Sequence, residues 1–158
     1  MWGGCALTDG GGRLSRCDQA LARMRQIPWR YSELPVLLQK SSLLLEQGRI
    51  DKARTTLSEG QTLAQELQQH SSLFKSRIME AKLQAAAGER EVALQALQHL
   101  LTEATPPDQQ AEMLYELWTV SNDQAWGERA LAALIERYAA TPRAVYQKRI
   151  DELRAAPA

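Results

Sequence analysis

Apolar residues in this chain recur at helical spacing and never in sustained two-residue alternation, which predicts helices and no sheet. The stripes begin with Leu14, Cys17, Leu21 and Met24, then Leu34, Leu37, Leu38, Ser41, Leu44 and Leu45, then Ile50, Ala53, Leu57, Leu63, Ala64 and Leu67. Phe74, Ile78, Ala81 and Ala85 form the next, and Val92, Ala93, Ala96, Leu97, Leu100 and Leu101 the one after it. Met113, Leu114, Leu117 and Trp118 precede Trp126, Ala130, Leu131, Leu134 and Tyr138, and Val145, Tyr146, Ile150 and Leu153 close the series. This is an all-α pattern of about eight helices, each with an apolar face too wide to bury alone.

The breaks carry recognisable chemistry. Met1 to Gly11 holds a cluster of glycines and reads as a loose lead-in, because glycine loses the most backbone freedom on ordering. Pro28 marks an exit, Ser32 is placed to cap the next helix, and Gly48 and Gly88 supply left-handed stops. Gly60 is expected to interrupt the helix that Ile50 opens and to admit a neighbouring backbone, while the glutamines before His70 mark a wet face around which the helices lengthen. In Thr105-Pro106-Pro107-Asp108 the prolines end one helix and Asp108 is placed to cap the following one. Ser121-Asn122-Asp123 makes another break, and Thr141-Pro142 is expected to open the last helix, with Thr141 as cap.

One phrase recurs. Gly48 and Gly88 each begin Gly-x4-Ala-x3-Leu, through Ala53 to Leu57 and through Ala93 to Leu97. Related phrases run from Gly12 through Cys17 to Leu21 and from Asn122 through Gly127 to Leu131, so successive starts lie 36, 40 and 34 residues apart. Periods of that size belong to stacked helical hairpins, which bury a core only between neighbours and serve mainly as surfaces. The small residue is expected where two helices cross, and the leucine in the gap beyond it.

On these residues the chain resembles the tetratricopeptide repeat family, with Pro28, Pro106 and Pro142 near the places of its closing prolines. The first-helix half of that signature is degenerate: Leu37, Ser41 and Leu44 in one repeat, Arg77, Ala81 and Gln84 in the next, Ala111, Tyr115 and Trp118 in the last. The resemblance implies a right-handed superhelical solenoid of antiparallel hairpins over residues 12–141, about three and a half repeats. Residues 1–11 form its lead-in and residues 142–158 a capping helix and tail. The first repeat lacks its leading helix, as expected of the end of a larger protein.

The resemblance further implies a concave groove lined by the first helix of each hairpin. Its inward positions would be Leu38, Gln39, Ser42 and Leu45, then Lys75, Ile78, Met79 and Lys82, then Glu112, Met113 and Glu116. That mixture suits a partner protein's peptide or amphipathic helix. The family's clamp of repeated lysines, arginines and asparagines is not recognisable, which argues against chaperone C-termini as partners. The expected function is a non-catalytic interaction scaffold. The alternative, drawn from similar repeats on bacterial signalling enzymes and transcription regulators, is a regulatory or ligand-sensing segment.

Composition narrows this further. Among 158 residues, 19 Lys and Arg balance 19 Asp and Glu, so neither nucleic acid nor an anionic membrane is an expected partner, despite arginines among the first thirty residues. No run is long and apolar enough for a bilayer and no basic-then-apolar leader follows Met1, making cytoplasmic the expectation. Cys5 and Cys17 fit no metal or redox spacing, and His70 and His99 fit no zinc spacing. Gly10-Gly11-Gly12 follows no strand and is not a phosphate loop. Cys17 is expected to be a buried thiol, Trp118 and Trp126 core residues, and Glu89-Arg90, Glu128-Arg129 and Glu136-Arg137 solvated surface, since adjacent helical residues do not face one another. No catalytic, cofactor or metal set emerges, and the oligomeric state stays open.

Overall fold

The computed structural model describes residues 9–27 and 30–157. Among these there is no strand, and the α-helices run α1 Asp9–Met24, α2 Glu33–Glu46, α3 Ile50–Glu66, α4 His70–Ala86, α5 Arg90–Glu103, α6 Pro107–Ser121, α7 Gln124–Ala140 and α8 Ala144–Ala155. None of the helices among the described residues is long and apolar enough to cross a membrane. The chain divides into two compact units, Met1–Gly88 and Glu89–Ala158.

In the first unit α2 packs against α1 and α3, and α4 packs against both α3 and α2. One core cluster joins Leu14, Cys17, Leu43, Leu44, Ala53, Leu57 and Leu83, and a second joins Leu21, Leu34, Leu37, Leu63 and Ala64. The repeated small residue does what its spacing requires: Ala53 is fully buried, as is Ser41 of α2, whose hydroxyl donates to the Ala53 carbonyl at 2.9 Å. Leu57, four residues on, is buried beside it. In the second unit α6 packs against α5 and α7, and α7 against α8, around Ala111, Leu134, Tyr146 and Ile150. Ala93 and Leu97 are both buried there, whereas Val92, expected in the same stripe, is 49% exposed. It lies one position outside the arc that Ala93, Leu97 and Leu100 bury.

Three turns share one backbone form. Gly48, Gln68 and Gly88, spaced 20 residues apart, have φ of 71°, 53° and 92°, the left-handed region, and in each case the next helix starts two residues later. After α2 the Gly48 amide donates to Leu45 at 2.9 Å and the Arg49 amide to Leu44 at 2.9 Å. After α3 the Gln68 amide donates to Gln65 at 3.1 Å and the Gln69 amide to Ala64 at 2.9 Å. Both pairs satisfy carbonyls that a helix end would otherwise leave open.

Several boundaries depart from expectation, each for a local reason. Gly60 does not interrupt α3, which runs through it; a Cβ there would stand 3.5 Å from that of Leu37, so the glycine brings α2 close without breaking the helix. The helix α1 begins at Asp9 and includes Gly10–Gly12, since extending a helix already anchored by Leu14, Cys17 and Leu21 costs only about 1 kcal/mol per glycine. The rest of the expected lead-in, and Pro28, lie outside the described residues. Ser32 occupies the N-cap position but makes no capping bond, because Arg30–Ser32 is already a 3-10 turn that leads into α2. Asp108 sits inside α6, past the Pro106 cap, and faces Arg137 at 3.5 Å instead. Thr141 ends α7 and α8 starts at Ala144, so Pro142 precedes the helix.

The first unit's turn between α1 and α2 is fastened by charge. The buried carboxylate of Glu33 lies 3.7 Å from Arg25 and 3.7 Å from Arg30, which also reach Glu59 and Glu66 of α3.

Two of the glycines should answer alanine in opposite ways. Gly60→Ala is expected to raise stability by about 0.5–1 kcal/mol, since the added methyl makes ordinary contact and the helix loses a flexible residue. Gly127→Ala would put a Cβ 2.9 Å from Cδ1 of Trp118 and is expected to cost about 1–3 kcal/mol by overpacking. Urea unfolding of both variants checks this, and a Gly127→Ala protein as stable as the parent would refute the close approach. Gln68→Gly should gain about 1 kcal/mol, the usual strain of a side chain in a left-handed backbone; an unchanged or lowered denaturation midpoint would show that no strain resides there.

Candidate functional site

Helical geometry sorts the expected groove residues into short rows. In the first unit Leu38, Ser42 and Leu45 follow i, i+4, i+7 along α2, and Lys75, Met79 and Lys82 do the same along α4. Because α4 packs on α2, the two rows belong to neighbouring helices. Leu38, Leu45 and Met79 are half-buried and lean on the cluster around Leu43, Leu44 and Leu83. Ser42 and Lys82 are also half-buried, and Gln39 and Lys75 are exposed. Ile78 is turned inward, with 5% of its surface left.

In the second unit the expected residues separate. Met113 is fully buried and Glu116 is 4% exposed, because α6 is covered by α5 and α7 and buries an arc that also includes Ala111, Leu114 and Leu117. Neither has surface to offer a partner. Glu112 keeps part of its surface but faces Arg149 of α8 at 3.9 Å.

That contact belongs to a polar cluster between α6 and α8 which the sequence did not disclose. Tyr115 donates its hydroxyl hydrogen bond to Glu152, and the Arg149 guanidinium lies over the Tyr115 ring, 4.6 Å from its centre. Trp118 stands next to it, ring centres 5.7 Å apart. Burial, then the hydrogen bond to Glu152 and the charge of that carboxylate, push the Tyr115 phenol well above its ordinary range. Arg149 and Glu152 lie outside the apolar stripe of Val145, Tyr146, Ile150 and Leu153 that the sequence shows on α8. No local signal joins them to Tyr115, which lies in a helix that only the fold brings alongside.

The remaining chemistry-bearing residues are spoken for locally. Cys17 is buried in the first core cluster. His99 faces Glu103 at 2.9 Å one turn along α5, and His70 is exposed at the start of α4. Of the Glu-Arg neighbours, Arg90 donates to the Ser121 carbonyl, Arg129 stacks on Trp126 at 4.6 Å, and Arg137 takes Asp108 with Glu136 at 3.9 Å. No group of three or more His, Cys, Asp or Glu among the described residues is placed to hold a metal ion. In the first unit the expected groove residues that keep surface are those of the α2 and α4 rows, with Gln39.

No protein-family model, no curated protein and no solved structure matches this chain.

The Tyr115 cluster predicts an alkaline signature. A phenol held neutral in the folded state contributes stability that is fully present below the ordinary phenol value of about 10 and is lost as pH rises toward the folded value. Between about pH 9 and 11 the parent should therefore lose more stability than Tyr115→Phe, whose ring cannot ionise. Chemical denaturation at a series of pH values measures the difference; parallel curves would show that Tyr115 titrates freely.

Proposed function

We propose that this chain is a helical-repeat interaction module whose helices stack as hairpins in the manner of tetratricopeptide repeats, and that it binds a peptide or amphipathic helix of a partner protein without catalysis. Three features support the stacked-hairpin reading. The left-handed turns at Gly48, Gln68 and Gly88 recur every 20 residues. The helix α4 touches α2 as well as α3, the neighbour-plus-one contact through which successive hairpins share a core. Small residues occupy the α2 to α3 crossing at Ser41 and Ala53. A right-handed array of this kind, working in the cytoplasm, is the form this proposal takes.

The observation that carries the binding reading is the paired rows on α2 and α4. Leu38, Leu45 and Met79 keep apolar surface beside Gln39, Lys75 and Lys82, which is the composition of a groove that takes the apolar stripe of a helix and brackets it with charge. Lys82 has a polar contact of its own, so Lys75 is the cleaner electrostatic probe. The buried Ile78, Met113 and Glu116 fall away from the binding row and are structural in this proposal.

Affinity capture from the source cell, followed by binding measurements on Lys75→Glu and Met79→Glu, tests the proposal. Each variant is expected to weaken the captured partner by about tenfold or more, the usual consequence of disrupting an interface anchor or its charged rim. Lys75→Glu should leave the melting temperature unchanged, whereas Met79 leans on the core and its variant is read with melting alongside. Parent-like binding by both, with loss from substitutions on the exposed side of α3, would overturn the assignment.

A further inference from the structure

The second unit contains a cleft of about 300 Å³, near the lower end of the range for small-molecule sites. Its apolar wall is the Trp118 indole with Leu131, Leu153 and Pro157. Gly127 lies in the lining too, where the Trp118 ring occupies the space a Cβ would need. Asn122, Gln124, Glu128 and Ala156 complete the lining, and among the described residues its one ionisable side chain is a carboxylate.

Among the described residues the lining of the cleft carries one negative side chain and no positive one, the guanidinium groups of Arg90, Arg129 and Arg154 lying outside it. Glu128 accepts a hydrogen bond from Gln124 at 3.0 Å. The adjacent guanidinium, Arg129, stacks on Trp126, and Arg90 is taken up by the Ser121 carbonyl. Two helices end at the lining, α6 at its C-cap Asn122 and α8 at its C-cap Ala156, and helix C-termini carry partial negative charge. The opposing positive end of α7 is met by the Asp123 carboxylate, which accepts from the Ala125 amide at 2.8 Å. Trp118 also lines the cleft, and the faces of an indole carry the negative side of its quadrupole.

We propose that this cleft binds a small organic cation, a primary ammonium carried on a short apolar or aromatic body. The body would lie against Trp118, Leu131 and Leu153, and the ammonium would donate to Glu128 and the exposed side-chain oxygens of the rim. An anion of the same shape would meet the Glu128 carboxylate and is disfavoured by its charge. The site is separate from the α2 and α4 rows and stands or falls independently of the groove.

Titration of the full chain with phenethylammonium, followed by nuclear magnetic resonance at the Trp118 indole and Gly127 amide signals, tests the proposal. Saturable shifts at those signals are expected, with phenethyl alcohol weaker by about fivefold or more and phenylacetate giving none, as cation recognition by a ring and a carboxylate requires. Glu128→Gln, on the exposed face of α7, should reduce the affinity for the ammonium to that for the alcohol while leaving the melting temperature unchanged. Absence of saturable shifts, equal binding of alcohol and ammonium, or an ammonium affinity untouched by Glu128→Gln would each overturn it.

Discussion

The first unit depends on how closely α2 and α3 approach where Ser41 meets Ala53. Both residues are fully buried, and the Ser41 hydroxyl spends its proton on a carbonyl of the facing helix. A hydroxyl buried without a partner costs stability, so this bond fixes how the two helices slide as well as how near they come. Gly60 extends the approach by a second contact, at Leu37. The leucines around these points, Leu34, Leu37, Leu57 and Leu63, then fill the remaining space in the ordinary way of close-packed interiors.

The second unit solves the same problem with a larger residue. At Gly127 the facing group is the indole of Trp118, and the missing Cβ makes room for a ring rather than a backbone. A tryptophan held by its edge keeps one side for solvent, which a leucine in a tight crossing does not. A cleft lined by both residues lies next to this crossing.

The helices and their breaks were legible wherever a backbone constraint forces a residue choice. Gly48 and Gly88 announce left-handed turns, Pro106 and Pro107 the end of α5, and Asn122 tolerates the left-handed end of α6 at φ 58°. The turn after α3 could not be read because Gln68 takes the same backbone without glycine, its cost absorbed by hydrogen bonds to Ala64 and Gln65 from the turn amides. Cap residues misled for a related reason. Asp108 and Thr141 have the chemistry of caps, but Pro106 already starts α6 and Arg143 starts α8, so position decided over propensity. The α2 and α4 rows were legible because residues on one helix face are fixed by spacing alone. The burial of Met113 and Glu116 was not, since it depends on how far α5 and α7 close over α6.

The shared backbone of the turns at Gly48, Gln68 and Gly88 also bears on how such a chain can change length. The segment from Arg49 to Gly88 enters and leaves through the same left-handed geometry, with φ near −87° at Arg49, −87° at Gln69 and −86° at Glu89 on the residues that follow. A stretch bounded by equivalent joints is a cassette. A gene that gained or lost those two helices together would need no new loop, and the join would keep the handedness of the old one.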